Sequence, residues 1–334
     1  TQLDEAEYLG QSAINNLSNR EDHNVELVFF KNMEYKICSQ YMKNCSDFKK
    51  VATLEDILKI IDQPNLLIFG NESENILSNE GRPEYISTRE LFQLDKNITL
   101  HSFNNPEISV DKKNSILDIF INEVDQKVLI SGEGKLTSWK ININSSVKDK
   151  LNTRQDSLLL TGCLTLANID VIDLIIISRN QHCEDAINFI RTSGTIKSIT
   201  IHNSKNDGFD ADYSIIDVAE IKIINSGNDC IDLSGGDYTL NKVYLKDCFD
   251  KGASIGENSK VTISDVDILN SNIGFATKDS SKVTIKYMNS ENVKICLAVY
   301  RKKQEFGPSY VSIENNVCQT NSENFIQAGS YYDG

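Results

Sequence analysis

EDAINFI (184–190), NDGFDAD (206–212), NDCIDLS (228–234), DKGASIG (250–256), NIGFATK (272–278) and KICLAVY (294–300) start at a constant interval of 22 residues. Periodicity of this length marks a solenoid, in which each row winds once and stacks on the row before it. Alternation along the rows gives the side-chain direction. Ile187, Phe209, Ile231, Ala253, Phe275 and Leu297 make an apolar column, and Phe189, Ala211, Leu233, Ile255, Thr277 and Val299 a second. Both are expected to face inward. The column between them (Asn188, Asp210, Asp232, Ser254, Ala276, Ala298) and the one after (Ile190, Asp212, Ser234, Gly256, Lys278, Tyr300) are expected to face outward. Asp185, Asp207, Asp229 and Lys251 fall at the preceding bend. Later strands, IKII (221–224), VYL (243–245) and VDI (266–268), keep the pattern with a slip of one residue. Such a row holds three short strands and three turns. The expected fold is therefore all-β, a parallel β-helix of about 22 residues per coil, right-handed by the general rule for parallel crossovers.

Residues 1–90 read differently. Thr53-Leu-Glu-Asp56 resembles a capping box, with Leu54, Ile57, Leu58 and Ile61 at helical spacing before Pro64. Leu3 to Leu17 is a second helical candidate, and VELVFF (25–30) a strand. Open solenoid ends expose unpaired edges, so an α/β cap is expected over 1–90 and the β-helix over 91–334. NITLHS, SILDIFI, KVLISG, KLTSWKI, LLLTGCLTL and VIDLIIIS, between 97 and 178, read as irregular early coils.

The chain has 334 residues, 40% of them hydrophobic, enough for a large core. Forty-eight acidic residues against 34 basic give a net charge of −14, which argues against nucleic acid as a partner. No apolar run approaches the ~18 residues of a membrane span. The eight cysteines form no CxxC or Cys/His pattern, so a zinc site is not expected. Cys38 and Cys45 are close in sequence, and Cys296 and Cys318 are one coil apart, within disulfide reach if rungs lie about 4.8 Å apart. Buried apolar rungs are the alternative. Disulfides would place the protein outside the cytosol: secreted, periplasmic or at the cell surface.

Carboxylates dominate adjacent coils. Asp210 and Asp232 should be close enough to perturb each other's ionisation, and Asp is a poor strand former that outward strand positions do not call for. Coupled carboxylates suit acid/base cleavage of a glycosidic bond, with one protonated donor and one ionised partner. They suit a hard cation equally, and Ca²⁺ is the candidate at Asp210 and Asp232. Asp207 and Asp229 complete the acidic set, with bonding to nearby backbone amides as their alternative role. Lys251 and Lys278 could neutralise a uronate or serve as a base. Asp212, Glu257, Asp279, Tyr300 and Lys302 extend the candidate substrate-binding surface. Glu257 and Asp279 also fit turns (GENS, KDSS), and Arg301 to Lys303 a solvated charge run.

KNDGFD (205–210), GNDCIDLSGG (227–236), DKGASIGENS (250–259) and GFATK (274–278) resemble, in order and coil spacing, the four successive motifs of polygalacturonase-type glycoside hydrolases. The resemblance implies that Asp207 is the aspartate of the NTDG string, Asp229 the second of the paired aspartates, and Lys278 the lysine of the RIK string. Asn228, Lys251 and Ala276 stand where that family has an aspartate, a histidine and an arginine. The combination points to lysis or epimerisation of a uronate polysaccharide rather than simple hydrolysis. GNDCIDLSGG, DKGASIGENS and YRKKQEFGP (300–308) are also similar to β-helix modules of bacterial exported proteins, some attached to CotH-like domains. That likeness implies a non-catalytic glycan-binding or surface-spacer module. A trimeric surface spike is a third expectation.

Overall fold

Outward and inward alternation becomes stacked parallel ladders in the computed structural model, which describes residues 26–31, 34–39, 49–50, 66–69, 89–148, 160–319 and 324–334. The register follows the repeat: Ile187 pairs with Phe209, Phe209 with Ile231, Ile231 with Ala253, Ala253 with Phe275, and Phe275 with Leu297. All twelve residues of the two inward columns are at most 2% exposed. Phe189 and Phe209 meet edge to face at 5.2 Å within this core. The fold is a parallel β-helix, and no helix occurs among the described residues.

The one-residue slip has a local cause. Lys260 pairs with Asp237, 23 residues earlier, because the turn Glu257–Ser259 is one residue longer than Gly235–Gly236. A bulge between Cys248 and Lys251 absorbs the excess, so Ala253 and Phe275 return to register.

The chain divides into two compact units, Thr1–Ile86 and Ser87–Gly334. In the first, Glu26–Lys31 pairs antiparallel with Glu34–Ser39 and parallel with Leu66–Phe69. The helical expectations over 3–17 and 53–61 lie outside the described residues. In the second unit the early strands sit where expected but pair differently. Ile98–Phe103 pairs antiparallel with both Arg89–Asp95 and Lys127–Ser131, and Glu107–Asp111 pairs antiparallel with Ile116–Ile121. Lys127–Ser131 and Ile116–Ile121 pair parallel with Gly162–Ala167 and Lys140–Ser145 on their other edges. From Lys135 onward the strand pairings of the described residues are parallel.

Among the described residues three disulfides tie the coils: Cys163–Cys183, Cys230–Cys248 and Cys296–Cys318. The last is the one-coil pair; the first two, separated by 20 and 18 residues, join different columns. Cys45 lies outside the described residues.

An outer corner carries a second ladder. Asn180, Asn203, Asn225, Asp247, Asn270 and Asn292 all adopt left-handed backbone, φ between 53° and 67°, where Asn and Asp are among the few tolerated side chains. An amide donates to one coil and accepts from the next, so Asn225 donates to Asn203 (2.9 Å) and Asn203 to Asn180 (2.8 Å). Below the break, Asn292 donates to Asn270 (2.8 Å) and Asn270 to Asp247 (2.6 Å). The ladder breaks at Asp247 because a carboxylate has no hydrogen to pass to Asn225. Asp247→Asn is expected to close the gap and add about 0.5–1.5 kcal/mol of stability, the net worth of a hydrogen bond. A rise in the urea midpoint at unchanged slope would show this; an unmoved midpoint would mean the gap costs nothing.

Candidate functional site

The register of the column between the two inward ones is realised, with Asn188 beside Asp210, Asp210 beside Asp232 and Asp232 beside Ser254. Its expected exposure is not: Asn188, Ser254, Ala276 and Ala298 are at most 1% exposed, and only Asp210 and Asp232 are part-exposed. Asp212 lies two residues along the same strand as Asp210 and faces the same way. At the bend, Asp185 pairs with Asp207. Six carboxyls thus crowd three neighbouring coils.

The two acidic columns do different work. Asp207 Oδ1 accepts from the Asp229 backbone N–H (2.8 Å) and from Asn228 Nδ2 (2.7 Å), and only 7% of the residue is exposed. Asp229 Oδ1 accepts in turn from the Lys251 backbone N–H (3.1 Å). Asp207 and Asp229 therefore each anchor the next coil's backbone, the role foreseen as their alternative. Asp210 and Asp212 make no such bond. Asp210 Oδ2 accepts from Asn188 Nδ2 (2.9 Å), and Asp232 Oδ1 faces Lys278 Nζ at 3.8 Å.

Crowding and burial shift the protonation of these groups. Burial, then the charges of Asp229 and Asp185, raise Asp207 to about 8. Burial, then Asp212, Asp185 and Asp232, push Asp210 well above the carboxylate range. Burial with Asp185 and Asp232 raises Asp212 to about 7. Burial raises Asp229 to about 6, the limit being set by the opposing charge of Lys251.

The lysines are engaged. Lys251 Nζ reaches Asp229 at 3.2 Å and bonds Asp250. Burial opposes its charge, but these two carboxylates hold its pKa above the usual lysine value. Lys278, 5% exposed, is likewise raised against burial by Asp232 and Glu257. Its stem lies on Gly256 of the previous coil, where an added Cβ would stand 3.4 Å from Lys278 Cε. A side chain of one carbon there would only touch the stem in ordinary van der Waals contact, and the ammonium reaches on past this position to Asp232. Both lysines are thus protonated cations near neutral pH, suited to holding negative charge and unsuited to taking a proton.

The remaining expected residues divide as follows. Glu257 accepts from Ser234 Oγ and pairs with Lys303 Nζ at 2.7 Å, which outweighs its burial and lowers its pKa. Asp279 is fully buried, and its Oδ1 accepts from the backbone N–H groups of Lys302 (2.6 Å) and Lys303 (2.8 Å). It clamps the loop that carries Lys303 to Glu257; the Lys302 side chain is exposed. Tyr300 pairs with Lys278 in register and packs edge-on against Phe325.

Several residues were missed. Asn188 Oδ1 and Ser254 Oγ are buried without a partner, and Asp232 Oδ1 has only the lysine. Asn188 and Ser254, the two that were missed, share a column with the expected Asp232, so their place in the repeat was the available signal. Lys303 depends on a six-residue excess: Tyr310 pairs with Lys282, 28 residues back instead of 22. A hard cation would draw on the oxygens of Asp210, Asp212 and Asp232, in competition with the protons that Asp210 and Asp212 are pushed to hold. Away from this face, Cys163, His182 and Cys183 bring ligand atoms within 4.8 Å of one another.

Because Asp207, Asp212 and Asp229 are raised, the folded chain holds protons that the unfolded chain has released above about pH 4. Their contribution is complete below that pH and is lost as pH climbs through about 6 to 8. Each such group adds a slope of about 1.4 kcal/mol per pH unit over its own window. Asp207→Asn keeps the Oδ1 acceptor and removes one proton uptake, so urea midpoints between pH 5 and 8 should decline less steeply than in wild type. A parallel decline in the two proteins would contradict the assignment. Comparison of the chain with protein-family models, curated proteins and solved structures gives no match.

Proposed function

We propose that this face acts on an extended polysaccharide by acid/base chemistry, with Asp210 and Asp212 as the proton-holding pair and Asp232 as the carboxylate partner. The observation that carries the reading is the difference between neighbouring rungs. Asp210 and Asp212 are pushed toward the protonated form, while Asp232, one coil on, lies opposite the Lys278 ammonium. Neighbouring carboxyls in unlike surroundings are the usual basis for dividing donor and acceptor roles. Asp210, Asp212 and Asp232 are the part-exposed acids of this face, the groups a sugar's hydroxyls could reach. Lys251 and Lys278 fit as electrostatic partners of a uronate carboxylate. Since neighbours hold both protonated, proton transfer falls to the aspartates, and glycosidic hydrolysis fits better than lysine-driven elimination or epimerisation. The disulfides support action outside the cytosol, and among the described residues no helix is long and apolar enough to cross a membrane.

A second reading has its own support. Asp207 and Asp229 are spent on backbone amides, which leaves fewer free acids and suits a glycan-binding module without turnover. A panel of neutral and uronate polysaccharides separates the two, read by new reducing ends and by new unsaturation. Reducing ends without unsaturation are expected, and Asp210→Asn or Asp232→Asn should lower kcat/KM by roughly 10²–10⁴-fold. Retention of the glycan without shortening would favour the binding module, and full activity in both variants would remove this column from the chemistry.

A further inference from the structure

His182 is fully buried, and its two ring nitrogens have very different surroundings. Nε2 lies 2.9 Å from the Val124 carbonyl oxygen, so it carries the proton and donates there. Nδ1 is then the lone-pair nitrogen. It faces Cys163 Sγ at 3.8 Å. With Cys163 joined to Cys183, that sulfur has no hydrogen to give. A buried imidazole acceptor thus points at a disulfide that cannot satisfy it, an arrangement that costs the desolvation of the lone pair. Cys183 Sγ, bonded to Cys163 Sγ, lies alongside the same ring, 3.9 Å from Nε2.

Breaking the disulfide changes the chemistry of all three groups. A dithiol or phosphine reductant supplies two electrons and, with two protons, yields two thiols while itself being oxidised. The two sulfurs and the neutral imidazole nitrogen already lie within 4.8 Å of one another with the disulfide closed, and reduction frees both sulfurs to act as ligands. A backbone carbonyl fixing the tautomer of a histidine is the usual outer support of a metal-ligating ring. Soft sulfur donors in a set of three, shut away from water, select a monovalent d¹⁰ ion over harder divalent ones. All three residues are at most 1% exposed, so no surface chemistry competes.

We propose that Cys163, His182 and Cys183 form a redox-gated Cu(I) site, closed while the disulfide stands and opened by its reduction. Binding releases the two thiol protons and leaves copper on two sulfurs and His182 Nδ1. The site is separate from the acidic face and does not depend on its function. It was not visible as a spacing motif because Cys163 joins the His182-Cys183 pair only through coil stacking.

The test uses the full chain, reduced with a phosphine, freed of reductant under argon and titrated with Cu(I) against a colorimetric copper chelator. Wild type should withhold one more equivalent than Cys163→Ser/Cys183→Ser, which keeps the other cysteines. His182→Ala, with both cysteines intact, should weaken that equivalent by on the order of 100-fold, at the upper end of what even outer-shell changes cost. X-ray absorption should show a nitrogen neighbour beside sulfur. Equal copper in wild type and the double serine variant, or a sulfur-only shell, would overturn the proposal. So would binding by the unreduced protein. If reduction alone loosens the coil, Cu(I) must restore the β circular-dichroism signal, and failure to do so counts against the site as well.

Discussion

Parallel register at a fixed interval is the constraint on which everything else rests. Phe189, Phe209, Leu233 and their column-mates are locked inside, and a slip of one residue would turn every side chain of a coil to the wrong face. Neighbours in space are therefore dictated by the repeat, whatever their charge. Asp210 must sit beside Asp232, and Asp185 beside Asp207. The stack cannot relieve this repulsion by moving apart, so it is met by retained protons, by Asn188 and by ammonium groups reaching across coils.

The same constraint decided what could be read from sequence. The 22-residue rows exposed the columns, the register and the Cys296–Cys318 bridge, since all three are statements about vertical neighbours. Strands before Lys135 were legible one by one, but their antiparallel pairing was not. Hairpins and parallel coils share the same alternation, and without a repeat nothing distinguishes them. Cys163–Cys183 and Cys230–Cys248 escaped because they link different columns, so no constant spacing announces them.

At the acidic face the column assignments survived better than the roles. That Asp210, Asp212 and Asp232 share a face follows from alternation. That Asp207 and Asp229 bond the next coil's amides depends on bend geometry, which sequence leaves open. The lysines illustrate the limit most clearly. Their identity suggested a base, but only three-dimensional placement shows Lys278 lying over Gly256 and Lys251 gripped by two carboxylates.

The six extra residues between Tyr300 and Tyr310 bear on how such a molecule can diversify. Lys282 still pairs with Tyr310 and Ile285 with Ile313, so the excess is shed entirely at one corner and the winding resumes unaltered. Length at this corner is thus uncoupled from the architecture beneath it. Chains of the same build could exchange the segment, together with the cation it delivers to Glu257, as an interchangeable part beside an unchanged wall of acids.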